Sequence, residues 1–411
     1  MELLDLDVGP VAHGGWCIAR HDGRVVFVRH ALPGERIRAQ VVEETKRFLR
    51  ADATEILAPS PDRVEPPCPY AGPGRCGGCD WQHATPEAQR RLKAAVVEEQ
   101  LRRLAKIEHA VEVEALPSPT GRDDGLGWRT RTQFAVAPDG TIGFHRHRSH
   151  DVHPVDRCLI THAQIEQLHI ERRRWPGIDR VEAAASAATG DRVIRVEGKG
   201  RRQHVPRLDA PVRVVRGRPV AGPALPYVRE EAAGRTWRVS ATGFWQVHPA
   251  AADVLVEAVL EALQPRESDS ALDLFCGVGL FAGAVAGRLG NGSVVGIEAD
   301  PVAVRDARHN LRDLPNVRIE RGRVDQTLDR IALVEADLVV LDPPRAGAGH
   351  EVVYRIASLA PRTVAYVSCD PATLARDLGW FAELGYRLDG LRAFDTFPMT
   401  HHVECVAKLV R

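Results

Sequence analysis

The chain reads as an α/β protein: a Rossmann-like, doubly wound sheet in the C-terminal part, preceded by a small β-barrel and a mainly β middle. Three observations predict this. After residue 239, apolar runs such as ALDLF, VVGIE, ADLVVL and TVAYVS have the composition of strands buried on both faces. The first of them runs into a Gly-rich turn and then a helix, as ALDLFCGVGLFAG from Ala271. Residues 1–59, by contrast, alternate short β-rich runs with turn signals. The expected domains are therefore 1–59, 60–238 and 239–411, with the helix at 86–107 a candidate to pack on the last.

In the first segment the expected strands are ELLDLDV, WCIAR, RVVFVRH, ERIRAQVVEE and FLRADATEIL. His13-Gly14-Gly15, Asp22-Gly23 and Pro33-Gly34 supply the turns. Five closely spaced strands suggest an OB-like barrel, a shape often used to hold RNA. Arg29, Arg36, Arg38, Lys46 and Arg47 are its RNA-facing candidates. Pro59, Pro61, Pro66 and Pro67 then form a stiff linker.

The formal net charge of zero hides a segregation. Residues 60–239 carry 30 Lys/Arg against 23 Asp/Glu, and residues 240–411 carry 17 against 23. A basic middle beside an acidic end suggests that the middle meets an anion such as nucleic acid. The chain is 44% hydrophobic, as globular proteins are, and has no apolar run long enough to span a membrane. The start MELLDLDVG lacks a basic n-region with a cleavage site, so no signal peptide is expected. Eight Cys among 411 residues fit a reducing, cytoplasmic compartment rather than a disulfide scaffold. A monomer with no membrane partner is expected.

PCPYAGPGRCGGC places Cys68, Cys76 and Cys79 in a Gly/Pro loop with spacing C-x7-C-x2-C. Thiolates so arranged hold either zinc or an iron–sulfur cluster, and spacing leaves the two open. Cys158 in VDRCLI is the candidate fourth ligand. A helix from Pro86 to about Lys106 follows, then mainly strands, with a hairpin about Asp139-Gly140. Basic groups near Trp128, Phe134, Phe144 and Trp175 are candidates to grip phosphates and stack on unpaired bases.

In the last segment, Gly277 and Gly279 allow a ligand close to the backbone at a helix start. Glu298 ends the second strand, VVGIEAD, and is placed to accept hydrogen bonds from ribose hydroxyls. The turn is not a full G-x-G-x-x-G and no phosphate-binding Lys follows, which disfavours NAD and ATP. A further buried strand ends in Asp342-Pro343-Pro344-Arg345. Thr363 to Ser368 is another, and Cys369 sits where it stops. Asp370 is a good helix N-cap and Pro371 suits the first helical position. A thiol just before a helix N-terminus feels the positive end of the dipole, which makes Cys369 a candidate nucleophile.

These stretches carry a resemblance. Residues 1–59 resemble the TRAM domain, an RNA-binding appendage of RNA-modifying enzymes. DLFCGVG…GIE closely resembles the S-adenosylmethionine turn of class I methyltransferases, in which Asp325 fits the usual position near the adenine. DPPRAG, YVSCDPAT and FDTFPMTHHVE, in that order, resemble the RNA uridine-5-methyltransferase family, and the resemblance covers essentially the whole chain. It implies S-adenosylmethionine as methyl donor, with Gln246, Phe275, Glu298 and Asp342 at its site. It also implies Cys369 as nucleophile and Glu404 as base. The CGGC core resembles the family's [4Fe–4S] site, with a longer first gap here; zinc is the alternative.

The implied partner is RNA. Ribosomal RNA is favoured over tRNA, because the common bacterial tRNA enzymes of the family lack both barrel and cluster. Asp370 stands where the family usually has Asn, and its charge opposes thiolate formation. Leu280, Ala365 and Met399 are milder departures. An RNA cytosine-5-methyltransferase shares the thiolate logic, but the Cys it needs after the Pro of the DPPR loop is absent. A non-catalytic RNA-binding protein is opposed by the intact Cys369, Glu404, Asp342 and Glu298.

Overall fold

A computed structural model describes residues 2–198, 204–217, 225–241, 243–331 and 335–411. Residues 199–203 of the basic tract GKGRRQHVPR lie outside the described residues.

Strands β1 (Leu3–Asp7), β2 (Val11–Ala12), β3 (Trp16–His21), β4 (Arg24–Arg29), β5 (Arg36–Glu44) and β6 (Phe48–Ala58) form one sheet. Its order is β1-β5-β6-β4-β3-β2. Alternation along the strands turns Leu4, Leu6, Cys17, Ala19, Val26, Val28, Ile37 and Ala39 into a common core. The expected five strands become six because two-residue β2 pairs with β3. It is cut short by Gly14 and Gly15, whose φ values of +89° and +81° reverse the chain.

Two expectations about RNA-facing groups are corrected here. Arg29 is buried at 5% exposure, and its Nη2 lies 3.4 Å from Asp80 Oδ1, so it ties the barrel to the cysteine loop. Arg38 is occupied by Asp5 and Glu55. Arg36, Lys46 and Arg47 remain exposed.

The middle sheet has the order β10-β9-β8-β11-β12-β13, from β8 (Arg131–Val136), β9 (Ile142–His145), β10 (Val152–Pro154), β11 (Arg180–Ala185), β12 (Arg192–Glu197) and β13 (Arg213–Arg216). Trp128, Phe134 and Trp175 are 2%, 0% and 0% exposed, so they are core residues and not stacking platforms. Trp175 Nε1 donates to the Ile170 carbonyl at 3.1 Å, which satisfies its one donor internally. Phe144 packs on Phe134 with ring centroids 5.1 Å apart.

The catalytic-type sheet has eight strands: β7 (Val113–Ala115), β16 (Ser270–Leu274), β17 (Ser293–Glu298), β18 (Val317–Arg321), β19 (Leu338–Leu341), β20 (Thr363–Ser368), β21 (Arg387–Asp395) and β22 (Glu404–Val410). Their order is β18-β17-β16-β19-β20-β22-β21-β7, and β22 alone runs against its neighbours. Helices α3 (Ala251–Leu263), α4 (Leu280–Ala286) and α5 (Pro301–Asn310) belong to one apolar core of the sheet; α6 (Val324–Arg330), α7 (His350–Ser358) and α8 (Pro371–Glu383) belong to a second. The strand order reverses between β16 and β19, which opens a crevice at their carboxyl ends.

Two pieces from ahead of residue 239 join this sheet. Helix α1 (Pro86–Gln100), capped by Thr85 Oγ1 on the Ala88 N–H, packs Val97 and the following Leu101 into the core that holds Leu374 and Leu378. Strand β7 pairs in parallel with β21. The boundary read at 238/239 falls inside β15 (Arg235–Ser240), which with β14 (Tyr227–Ala232) forms a hairpin. Trp237 of that hairpin is packed in the same core as Phe281 and Ala307.

Lys93 on α1 is fully buried, with Nζ 2.5 Å from Asp395 Oδ1 and 3.1 Å from the Phe397 carbonyl. Removing one member leaves a buried charge uncompensated. Lys93→Ala should therefore cost ~3–5 kcal/mol of stability, read as a large drop in unfolding temperature, while Lys93→Met with Asp395→Leu should recover most of it. A loss of under ~1 kcal/mol for Lys93→Ala would mean that the pair does not hold α1 to the sheet.

Candidate active site

The site assembles at one edge of the sheet because parallel strands all end there. Strand β16 delivers the Gly-rich turn, β19 delivers Asp342, and β20 delivers Cys369. Strand β22 is reversed, so its first residue, Glu404, arrives at the same edge. Ser368, the last residue of β20, lies opposite Cys405, so Cys369, one residue past it, and Glu404, one residue before Cys405, come to the same end of the strand pair, where Glu404 acts on the thiol.

In the turn, Phe275 (φ +62°), Gly277 (φ +54°) and Gly279 (φ +92°) all adopt left-handed backbone. Gly279 suits its φ of +92°, which other residues rarely adopt, and a Cβ there would also lie 2.6 Å from Leu311 Cδ1. A Cβ on Gly277 would meet nothing within 4 Å, which leaves open space beside the backbone. Glu298 Oε2 accepts the Gly277 N–H at 3.0 Å and Oε1 accepts the Asp300 N–H at 2.7 Å. Asp273, at the carboxyl end of β16, is fully buried; Oδ2 accepts the Ala282 N–H at 2.7 Å and Oδ1 has no partner. An orphaned buried oxygen beside an open, Gly-lined turn is what a cradle for a polar ligand requires.

Glu298, Asp273 and Asp342 thus form an acidic group. Burial, with Asp342 and Glu298 adding, holds Asp273 well above the usual carboxylate range. The Asp325 carboxylate is engaged by Arg323 at 2.7 Å. Gln246 is buried and lines a different cavity, with Glu230, Trp245 and Asp253.

Cys369 is half-buried and lines a cavity of about 220 Å³ with His13, Arg345, Asp370, His401 and His402. Asp370 caps α8, its Oδ1 accepting the Ala372 and Thr373 N–H groups at 3.1 and 2.9 Å. The expected ease of thiolate formation is not what the surroundings give. Burial pushes the Cys369 thiol up to about 12, and Glu404, Asp342 and Asp370 add to it; Arg345 alone opposes them. These effects outweigh the helix N-terminus because three carboxylates share a poorly solvated pocket. Glu404 is 3% exposed, and burial with Asp342 beside it raises its carboxyl well above the usual range. Asp342 itself is raised to about 7 by burial.

Sequence reasoning missed the wall of this cavity. His401 Nδ1 lies 2.7 Å from Asp80 Oδ2, and Arg345 Nη2 lies 3.3 Å from His402 Nε2. The FDTFPMTHHVE motif exposed the two His, but nothing in the sequence joins residue 401 to residue 80.

Cys68, Cys76, Cys79 and Cys158 line one cavity with Tyr70, Gln82 and Arg129. Gly77 lets their loop approach the 145–147 strand end: a Cβ there would lie 2.6 Å from the His147 nitrogen. Gln82 Oε1 accepts the Cys68 N–H at 3.1 Å. Burial raises the Cys76 thiol to about 11 and raises Cys79 and Cys158 as well; repulsion from neighbouring thiols adds to the first two, and Glu171 adds to Cys158. Among the described residues no three Cys, His, Asp or Glu side chains are grouped so as to hold one metal ion. Cys276 and Cys405 are core residues.

Comparison with known proteins agrees with this architecture. Residues 228–411 match the model of the tRNA (uracil-5-)-methyltransferase family, and residues 2–54 match the TRAM domain. An uncharacterized RNA methyltransferase of Streptomyces avermitilis is 55% identical over 99% of this chain and 98% of its own. Another, from Bifidobacterium longum, is 36% identical over 100% and 97%. Among solved structures, the tRNA (uracil-54, C5)-methyltransferase of Pyrococcus abyssi, in complex with S-adenosyl-L-homocysteine, is similar at a TM-score of 0.74 and 25% identity, over 98% of this chain and 99% of that one. With a TRAM domain at its start and an S-adenosylmethionine-dependent fold at its end, this chain belongs to the RNA (uracil-5-)-methyltransferase family.

Proposed function

We propose that the enzyme methylates carbon 5 of a uridine in structured RNA through a covalent adduct between Cys369 and carbon 6. The observation that supports this reading is the antiparallel pairing of β20 with β22, whose shared end carries a thiol just past one strand and a buried carboxyl at the start of the other. Carbon 5 of uracil is a poor nucleophile. Cys369 gives up its thiol proton to solvent; attack of the thiolate Sγ on carbon 6 then forms the S–C6 bond and breaks the C5–C6 π bond, whose electrons pass into an enolate. Carbon 5 then takes the methyl group that S-adenosylmethionine supplies when bound. Glu404 removes the carbon 5 proton, the C5–C6 double bond re-forms, and the S–C6 bond breaks. Burial raises the Glu404 carboxyl, so it must give up its own proton before this step; once ionised it is a stronger base than a solvated carboxylate. The donor residues in this reading are Phe275, Gly277, Gly279, Glu298 and Asp342; Asp325 toward the adenine and Gln246 rest on the family resemblance alone, since Gln246 lines a separate cavity and Asp325 is paired with Arg323.

Cys369→Ala should lose methylation of uridine while still binding S-adenosylmethionine in a titration. Glu404→Gln should accumulate the enzyme–RNA adduct on ordinary RNA. Methylation by Cys369→Ala would refute the covalent route.

The four cysteines Cys68, Cys76, Cys79 and Cys158 are proposed to hold one [4Fe–4S] cluster with a structural role. Support comes from the four thiols lining one cavity. Protein purified without oxygen should be brown, with iron and acid-labile sulfide in equal amounts. Stoichiometric zinc without sulfide would replace the cluster by a zinc site.

The proposed substrate is a loop uridine of large-subunit ribosomal RNA. Carbons 5 and 6 are shielded within a duplex, so the base must be unpaired or flipped. A barrel and a basic middle also offer more phosphate contacts than one short hairpin needs. A tRNA loop is the second reading. It is favoured by the similarity to the Pyrococcus abyssi tRNA enzyme, which extends over 99% of that chain, so a full-length architecture of this kind also serves tRNA. With labelled donor, protein-free large-subunit RNA should accept methyl groups well and tRNA poorly; equal or better labelling of tRNA would select the second reading.

A further inference from the structure

The turn between β2 and β3 of the barrel packs onto the catalytic domain. A Cβ on Gly15 would lie 3.0 Å from His401 Cβ and 3.3 Å from Asp80 Cβ, an approach only Gly permits at φ +81°. Two residues earlier in the same turn, His13 Nε2 lies 3.2 Å from Asp370 Oδ2. The carboxylate divides its work: Oδ1 caps α8 and Oδ2 takes His13. His13 also lines the cavity that holds Cys369.

We propose that His13 is a positioning residue for the methyl-transfer site: by binding the outer oxygen of Asp370 it offsets the negative charge beside Cys369, so the barrel is a wall of the active site as well as an RNA-binding appendage. The inference rests on the reading of Cys369 as nucleophile. The charged groups that face the Cys369 thiol are Glu404, Asp342 and Asp370, which oppose its ionisation, and Arg345, which favours it. Asp370 differs from the other two acids in having its charge met by a side chain from the barrel. Catalytic competence then depends on the barrel being docked, which links engagement of RNA by the barrel to reactivity at the thiol.

The test uses the full-length protein and two readouts. One is the rate at which iodoacetamide alkylates Cys369, followed by peptide mass spectrometry; the other is kcat and KM on a uridine-containing RNA. His13→Ala should slow alkylation and lower kcat by about three- to tenfold, the equivalent of half to one pKa unit, with KM for RNA within about twofold. Asp370→Asn keeps a good cap and removes the charge, so it should speed alkylation. On that background, adding His13→Ala should change the alkylation rate by less than about twofold. His13→Gln, which keeps a donor without a charge, should fall between wild type and His13→Ala. An equal slowing by His13→Ala with Asn at 370, or a rise in KM with unchanged alkylation, would overturn the proposal. Alkylation needs no methyl transfer, so this failure is distinct from that of the nucleophile reading, which shows as methylation by Cys369→Ala.

Discussion

The antiparallel pairing of β20 with β22 is the constraint on which the site depends. Apart from β22, which is antiparallel to both β20 and β21, neighbours in the eight-stranded sheet run parallel, so their carboxyl ends, and the residues that follow, collect at one edge. A parallel seventh strand would carry Glu404 to the opposite edge, about 20 Å away for a strand of this length. Reversal brings it back beside Cys369. The same register buries Cys405 next to Glu404 and leaves no freedom to slip, because a shift by one residue would turn the carboxyl away from the crevice.

What this pairing creates is an acidic pocket around a thiol. Burial and the neighbouring acids push the Cys369 thiol up to about 12, so the free enzyme holds it as the thiol. The thiol must therefore be activated as RNA arrives. Arg345, on the loop after β19, is the cation already at hand, and displacement of water by a uracil strengthens every such interaction. The raised carboxyl of Glu404 belongs to the same arrangement: the burial that suppresses the nucleophile makes the base strong.

Much of the chemistry was legible locally. Asp370 and Pro371 are cap and first-turn residues whose roles need no tertiary context, and the Gly277–Gly279 turn with Glu298 follows from strand–turn–helix geometry. The family motifs brought in Glu404. Other features were not legible because they depend on distant partners. Arg29 reads as a surface cation until Asp80 is found against it, and Trp128 and Trp175 read as stacking platforms until they are seen to be buried. The direction of the Cys369 shift was hidden for a similar reason. A helix N-terminus can be read from four residues, whereas the opposing Glu404 and Asp342 come from two other strands. His13 lies 357 positions from Asp370, and no periodicity or spacing relates them.

The central claim is that Cys369 bonds to carbon 6 and that a base must take the proton from carbon 5. RNA in which the target uridine is replaced by 5-fluorouridine tests it most directly, because fluorine cannot leave as a proton. With S-adenosylmethionine present, wild-type enzyme should form a stable complex of protein, RNA and transferred methyl that survives denaturation. Peptide mapping should find the nucleotide on Cys369. Turnover without a trapped complex, or attachment to any residue other than Cys369, would contradict the account.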